Sequence, residues 1–96
     1  MIWTGFEQVA ATATVKDVDD LTIPSNTQRA LLQASAQNVA FTMDDATDPT
    51  QTSGLFLLTT MAPFEVTIEQ LRMIRFVRAA GSDGAINIAY IGTGVS

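Results

Sequence analysis

The 96-residue chain contains neither histidine nor cysteine. Without an imidazole, no side chain has an ordinary titration point near neutral pH. Without a thiol, disulfides, thiolate nucleophiles and thiolate metal ligands are excluded together. Serine-histidine and cysteine-histidine arrangements, glycine-rich phosphate loops and zinc-ligand spacings are all missing. The remaining carboxylates, Asp17, Asp19 and Asp20 at one place and Glu65 and Glu69 at another, alternate along polar stretches like solubility groups rather than a general acid-base pair. The expectation is therefore a protein that is not an enzyme, with no catalytic residue, cofactor or metal.

Positive charge is equally scarce. Five Lys and Arg stand against ten Asp and Glu, a net charge of -5, which disfavours attraction to a phosphate backbone and argues against nucleic acid as a partner. Long apolar runs are missing too. The longest, such as Leu55-Phe56-Leu57-Leu58, fall far short of a membrane span, so no membrane partner is expected. The opening Met1-Ile2-Trp3-Thr4-Gly5-Phe6 has no basic residue and no extended apolar core, and the chain reads as made without an export signal.

What is present is a charge-poor surface. Charged residues are 16% of the chain and hydrophobic ones 47%, which leaves Thr, Ser, Gln, Asn and Ala to cover much of the exterior. That is the composition of an interface core rather than of a freely diffusing surface. A single domain of this length buries roughly two-thirds of the surface its unfolded chain exposes. With no cross-link to help a thin core, oligomerisation or docking is the remaining device.

Short segments and frequent turn residues indicate an all-β fold, an antiparallel β-sandwich or jelly roll of about seven or eight short strands. The expected divisions are an N-terminal arm over residues 1–8, one sandwich domain over 9–92 and a frayed C-terminus over 93–96. Val9 to Val15 alternates weakly, and Val18 to Ile23 ends at a Pro24-Ser25-Asn26 turn. Arg29 to Ala34 and Gln37 to Met43, the latter with Val39, Phe41 and Met43 at period two, read as a hairpin joined near Ser35 to Asn38. Asp44 to Ser53 reads as a polar, exposed loop tip, and Gly54 to Thr60 as a buried strand. Ile68, Leu71, Ile74 and Val77 fit helical spacing while Met73 to Val77 fits a strand. The reading places one helical turn near 67–71, opened by a Thr67/Gln70 capping box, and a strand from Arg72 to Ala79. Ile86, Ile88 and Tyr90 alternate most cleanly, after a Gly81-Ser82-Asp83-Gly84 turn.

Three groups of residues are candidates for a site. Asp44, Asp45 and Asp48 offer hard oxygen ligands, but a calcium loop of EF type needs a central glycine and a distal glutamate that the segment lacks, so a solvated loop is the better reading. Arg72, Arg75 and Arg78 either neutralise nearby acids such as Glu65 and Glu69 or meet carboxylates across an interface. Ile2, Trp3 and Phe6 are large apolar anchors of the kind that dock an arm into a groove, or else they plug the end of the chain's own sandwich.

From Leu21 onward, LTIPSNTQRALLQA, QNVAFTMDDATDPTQTSGLFLL, FEVT and LRMIRFVRAAGSDGAINIAYI together resemble small virion structural proteins of tailed bacteriophages. In these a strand ending in a polar loop is followed by a Gly-led apolar strand and a closing hairpin. The resemblance leaves out Met1 to Asp20. It implies an all-β fold and a virion location after assembly in the host cytoplasm, with major capsid protein or other virion proteins as partners and homo-oligomers, trimers among them. The expected role is decoration or cementing of the capsid shell. The alternative is a tail or fibre module that binds a host-surface glycan or receptor, with Trp3 and Tyr90 as the aromatic platforms for a sugar ring.

Overall fold

A computed structural model describes residues 2–92, with only the main chain described for Ile2. The expected frayed end, 93–96, lies outside the described residues. In chain order the elements are β1 (Ile2–Ala11), β2 (Lys16–Asp17), a 3-10 turn (Val18–Asp20), β3 (Thr27–Ser35), β4 (Val39–Thr42), β5 (Leu55–Leu57), β6 (Phe64–Thr67), α1 (Ile68–Leu71), β7 (Arg75–Arg78) and β8 (Gly84–Gly92). They form two four-stranded antiparallel sheets, ordered β1-β8-β3-β6 and β2-β7-β4-β5. The fold is the expected all-β sandwich.

The core lies between the sheets. Ile86, Ile88 and Tyr90 of β8, with Ala30, Leu32 and Ala34 of β3, face Val39, Phe41, Leu57 and Phe76 of the second sheet. The period-two pattern of β8 works as read, because consecutive side chains leave a strand on opposite faces. The single turn α1 is opened by a reciprocal capping box, in which Thr67 accepts from the Gln70 N–H and Gln70 accepts from the Thr67 N–H. Leu71 and Ile74 then fill the core beside β3. The following strand is shorter than Arg72 to Ala79, because Arg72, Met73 and Ile74 continue the turn with backbone bonds to Ile68, Gln70 and Leu71.

Five expectations are corrected. The arm expected over residues 1–8 is not formed by its described part: Ile2–Ala11 is one edge strand, in register with β8 almost throughout. Val18 to Ile23 does not form a strand, because Asp17 caps the Asp19 N–H and Asp20 accepts from the Asp17 N–H, closing a 3-10 turn instead. The β3–β4 hairpin is absent, since the two strands belong to different sheets. Ala36 sits at φ 69°, with the Gln37 N–H donating to the Ser35 carbonyl at 2.8 Å. A three-residue turn of this kind deflects the chain across the sandwich rather than back alongside itself. The pairing of β7 with β8 as a closing hairpin fails in the same way, because β8 crosses to the first sheet. Finally, Gly54 to Thr60 is not a buried strand. Only Leu57 is buried, and β5 is a three-residue edge with Leu55 and Phe56 exposed.

Candidate functional site

The two aromatics near the start of the chain converge on the outer face of the first sheet. Three residues apart on a regular strand, Trp3 and Phe6 would point to opposite faces. A register shift between Trp3 and Gly5 puts two residues of β1 against one step of β8, so Trp3 lies opposite Ile91 and Phe6 opposite Ala89. That bulge turns both rings outward, and they stack with centroids 6.3 Å apart and planes at 15°. Gly5 makes it possible: a Cβ there would sit 2.8 Å from the Pro24 ring. An isolated glycine inside a strand pattern is the sequence signal for such a bulge.

Trp3 and Phe6 are 62% and 58% exposed, so neither plugs the sandwich end. They form one wall of a shallow groove of about 100 Å³, continued by Leu31, Gln33, Pro63, Asn87 and Ala89. Every lining residue is uncharged. Gln8 donates to Asn87 Oδ1 at 2.9 Å and orders the polar end of the groove.

Beneath this face, β1 is pinned from inside. Glu7 points inward, where its carboxylate accepts from the Thr22 N–H at 2.7 Å and from the Tyr90 hydroxyl. Burial, then the bond to Glu7 and the charge it carries, raise the Tyr90 hydroxyl above its usual titration range. Tyr90 is therefore a core residue and presents no ring for a sugar to stack on.

The arginines do not form one patch. Arg75 is opposite Thr42 and Asp17 on the outer side of the second sheet, whereas Arg78 is opposite Val39, on the parity that faces the core. Arg75 donates to Asp48 at 2.7 Å and to the carbonyls of Ala46 and Asp45. Arg78 pairs with Asp83 at 2.8 Å. Arg72 is exposed and makes no ion pair among the described residues. Neutralisation is the observed role for Arg75 and Arg78, but the acids are Asp48 and Asp83, while Glu65 pairs with Arg29 at 2.9 Å.

The Asp44 to Ser53 segment is exposed at most positions, as expected, yet it is not a free tip. Arg75 clasps its first half, Pro49 is buried, and Gln51 donates to the Ala80 carbonyl. Asp44 accepts from the Thr47 hydroxyl at 2.6 Å and from the N–H groups of Thr47 and Ala46, which hold its carboxyl at about 2. The Asp44 and Asp48 carboxylates are committed to local bonds. Among the described residues, no three His, Cys, Asp or Glu side chains gather as a metal site.

Comparison with protein-family models, with curated proteins and with solved structures gave no match.

Proposed function

We propose that this chain is a non-enzymatic structural protein of a tailed-phage virion that decorates or cements the capsid shell. The observation that carries this reading is the uncharged groove on the outer face of the first sheet, walled by the outward-turned Trp3–Phe6 stack. Large aromatics on a rigid sheet are the residues that dominate protein interfaces, and an uncharged face lets an acidic protein approach another surface without desolvating charges. Laid across neighbouring shell subunits, many such contacts add by avidity where each alone is weak.

The test is the copy number of this chain per purified virus particle, measured by quantitative mass spectrometry against the major shell protein. The reading expects a count in fixed ratio to the shell subunit. The double substitution Trp3→Ser, Phe6→Ser is expected to weaken each contact about 30-fold, the equivalent of about 2 kcal/mol. Both rings are exposed, so the folded domain should lose only about 1 kcal/mol of cross-strand packing. Absence of the chain from the particle overturns the proposal. A copy number near that of a tail or vertex component favours the second reading, a tail module binding a glycan. That reading now rests on Trp3 and Phe6, with Gln8, Gln33 and Asn87 as the polar neighbours.

A further inference from the structure

The four strands that end the two sheets are unequal. β2, β5 and β6 have two, three and four residues, whereas β1 has ten. Short edges are one way proteins prevent strand pairing with other chains; lysine, proline and inward-turned charge are others. β1 has no proline and no lysine, and its one charge, Glu7, is bonded inside the sandwich. Beyond the bulge, Gly5 to Ala11 keeps an unbroken register with β8. Among the described residues, no third element makes a backbone bond to β1 within Ile2–Ala11. A regular seven-residue edge of unpaired N–H and C=O groups is thus left open.

We propose that two copies of this chain join antiparallel through β1, about a two-fold axis, merging their first sheets into one. A second copy is the occupant that the charges favour. With a net charge of -5, most faces of this protein repel their own kind. β1 meets itself without opposing charges, because its outward side chains are Trp3, Phe6, Gln8 and Ala10. Two-fold symmetry makes the surface self-complementary, since each strand supplies what the other lacks. Paired about its middle, the segment sets Gln8 opposite the second copy's Gln8 and each Phe6 opposite an Ala10, so the join is made by backbone hydrogen bonds and uncharged cross-strand pairs. The join also places both Trp3–Phe6 stacks on the same face of the merged sheet. It does not depend on the virion reading and is measured on the isolated protein.

The experiment is sedimentation equilibrium of the purified chain from about 1 µM to about 1 mM, a range that spans weak association. The mass is expected to rise from the 10.3 kDa of one chain to twice that value. The double substitution Gln8→Lys, Ala10→Lys places like charges on the exposed positions of the edge and should hold the protein monomeric, with its circular dichroism and melting at 1 µM unchanged. Leu55→Lys, Phe56→Lys, on the opposite edge, should leave the dimer intact. Hydrogen exchange provides a readout without substitution: slowing with concentration should be confined to β1 amides. A monomer throughout the range, a three-chain mass, or a dimer lost in the Leu55/Phe56 variant but kept in the Gln8/Ala10 variant overturns the proposal.

Discussion

Replacing Tyr90 with Phe removes one hydroxyl from the core and leaves the ring in place. That hydroxyl donates to Glu7, the charged side chain of β1. A hydrogen bond to a charged group contributes about 1.5–3 kcal/mol, and Glu7 keeps a second donor, the Thr22 N–H at 2.7 Å. The expected loss is therefore about 2 kcal/mol. For a domain of this size that is a fall in Tm of roughly 8–16 °C. The assay is thermal and urea unfolding of wild type, Tyr90→Phe, Glu7→Gln and the double variant. If the bond carries the effect, the double-mutant cycle should return a coupling of about 1–2 kcal/mol. The alkaline limb gives an independent check. The chain has one tyrosine, and its folded titration point lies above the ordinary value of 10.0. The folded state thus holds the proton more tightly than the unfolded state. Its contribution is fully present below pH about 10 and declines as pH rises beyond it. The wild type should therefore lose its advantage over Tyr90→Phe as pH climbs above 10. A variant that melts within 2 °C of wild type, or a coupling indistinguishable from zero at about 0.3 kcal/mol, refutes the argument.

The remaining predictions concern the connections between strands. Asp44 should titrate at about 2 instead of 3.8, followed by carboxyl NMR, because the Thr47 hydroxyl and two backbone N–H groups bind its charged form. A depressed folded value means that its stabilising contribution is present above pH about 4 and is lost as pH falls towards 2. Thr47→Val should move the midpoint back up, and a wild-type midpoint at the ordinary value would contradict the bonding described. Gly54 has φ 122°, and a Cβ there would lie 3.0 Å from the Phe41 carbonyl. Gly54→Ala should therefore cost about 1–3 kcal/mol in urea unfolding. Gly81→Ala, with nothing within 4 Å of its Cβ, should stay within about 0.5 kcal/mol of wild type; equal losses at both positions would remove the strain explanation.

The elements legible in the sequence are those whose cause is local. β8 is legible because Ile86, Ile88 and Tyr90 fall on its core face at period two, and the Thr67/Gln70 box carries its own hydrogen-bonding partners three residues apart. The errors arise where a distant contact decides. Arg29 to Ala34 and Val39 to Met43 have the pattern of hairpin strands, but Ala36 in a left-handed conformation sends the second to the other sheet. Nothing in the residue type announces this, since alanine seldom adopts that conformation. Leu55 and Phe56 look buried by hydropathy, yet they sit on the last strand of a sheet, where no neighbour covers them. The arginines show the same limit: nearby acids such as Glu65 and Glu69 are the partners their neighbourhood in sequence offers, but the actual partners of Arg75 and Arg78, Asp48 and Asp83, depend on how two loops fold back.

The candidate surface depends on one departure from strand regularity. Without the bulge at Thr4, Trp3 and Phe6 would divide between the core and the solvent, and the groove would lose half of its aromatic wall. The bulge requires a residue without a Cβ at position 5, because Pro24 closes over that position from inside. Glu7, two residues later, fixes the same strand through Tyr90 and Thr22. The exposed rings are therefore mounted on backbone that is held from beneath at two neighbouring points. A surface ordered before contact gives up less conformational entropy on binding than a mobile arm that must be ordered by it. That difference separates the observed edge strand from an N-terminal arm physically: docking through Trp3 and Phe6 requires no folding step.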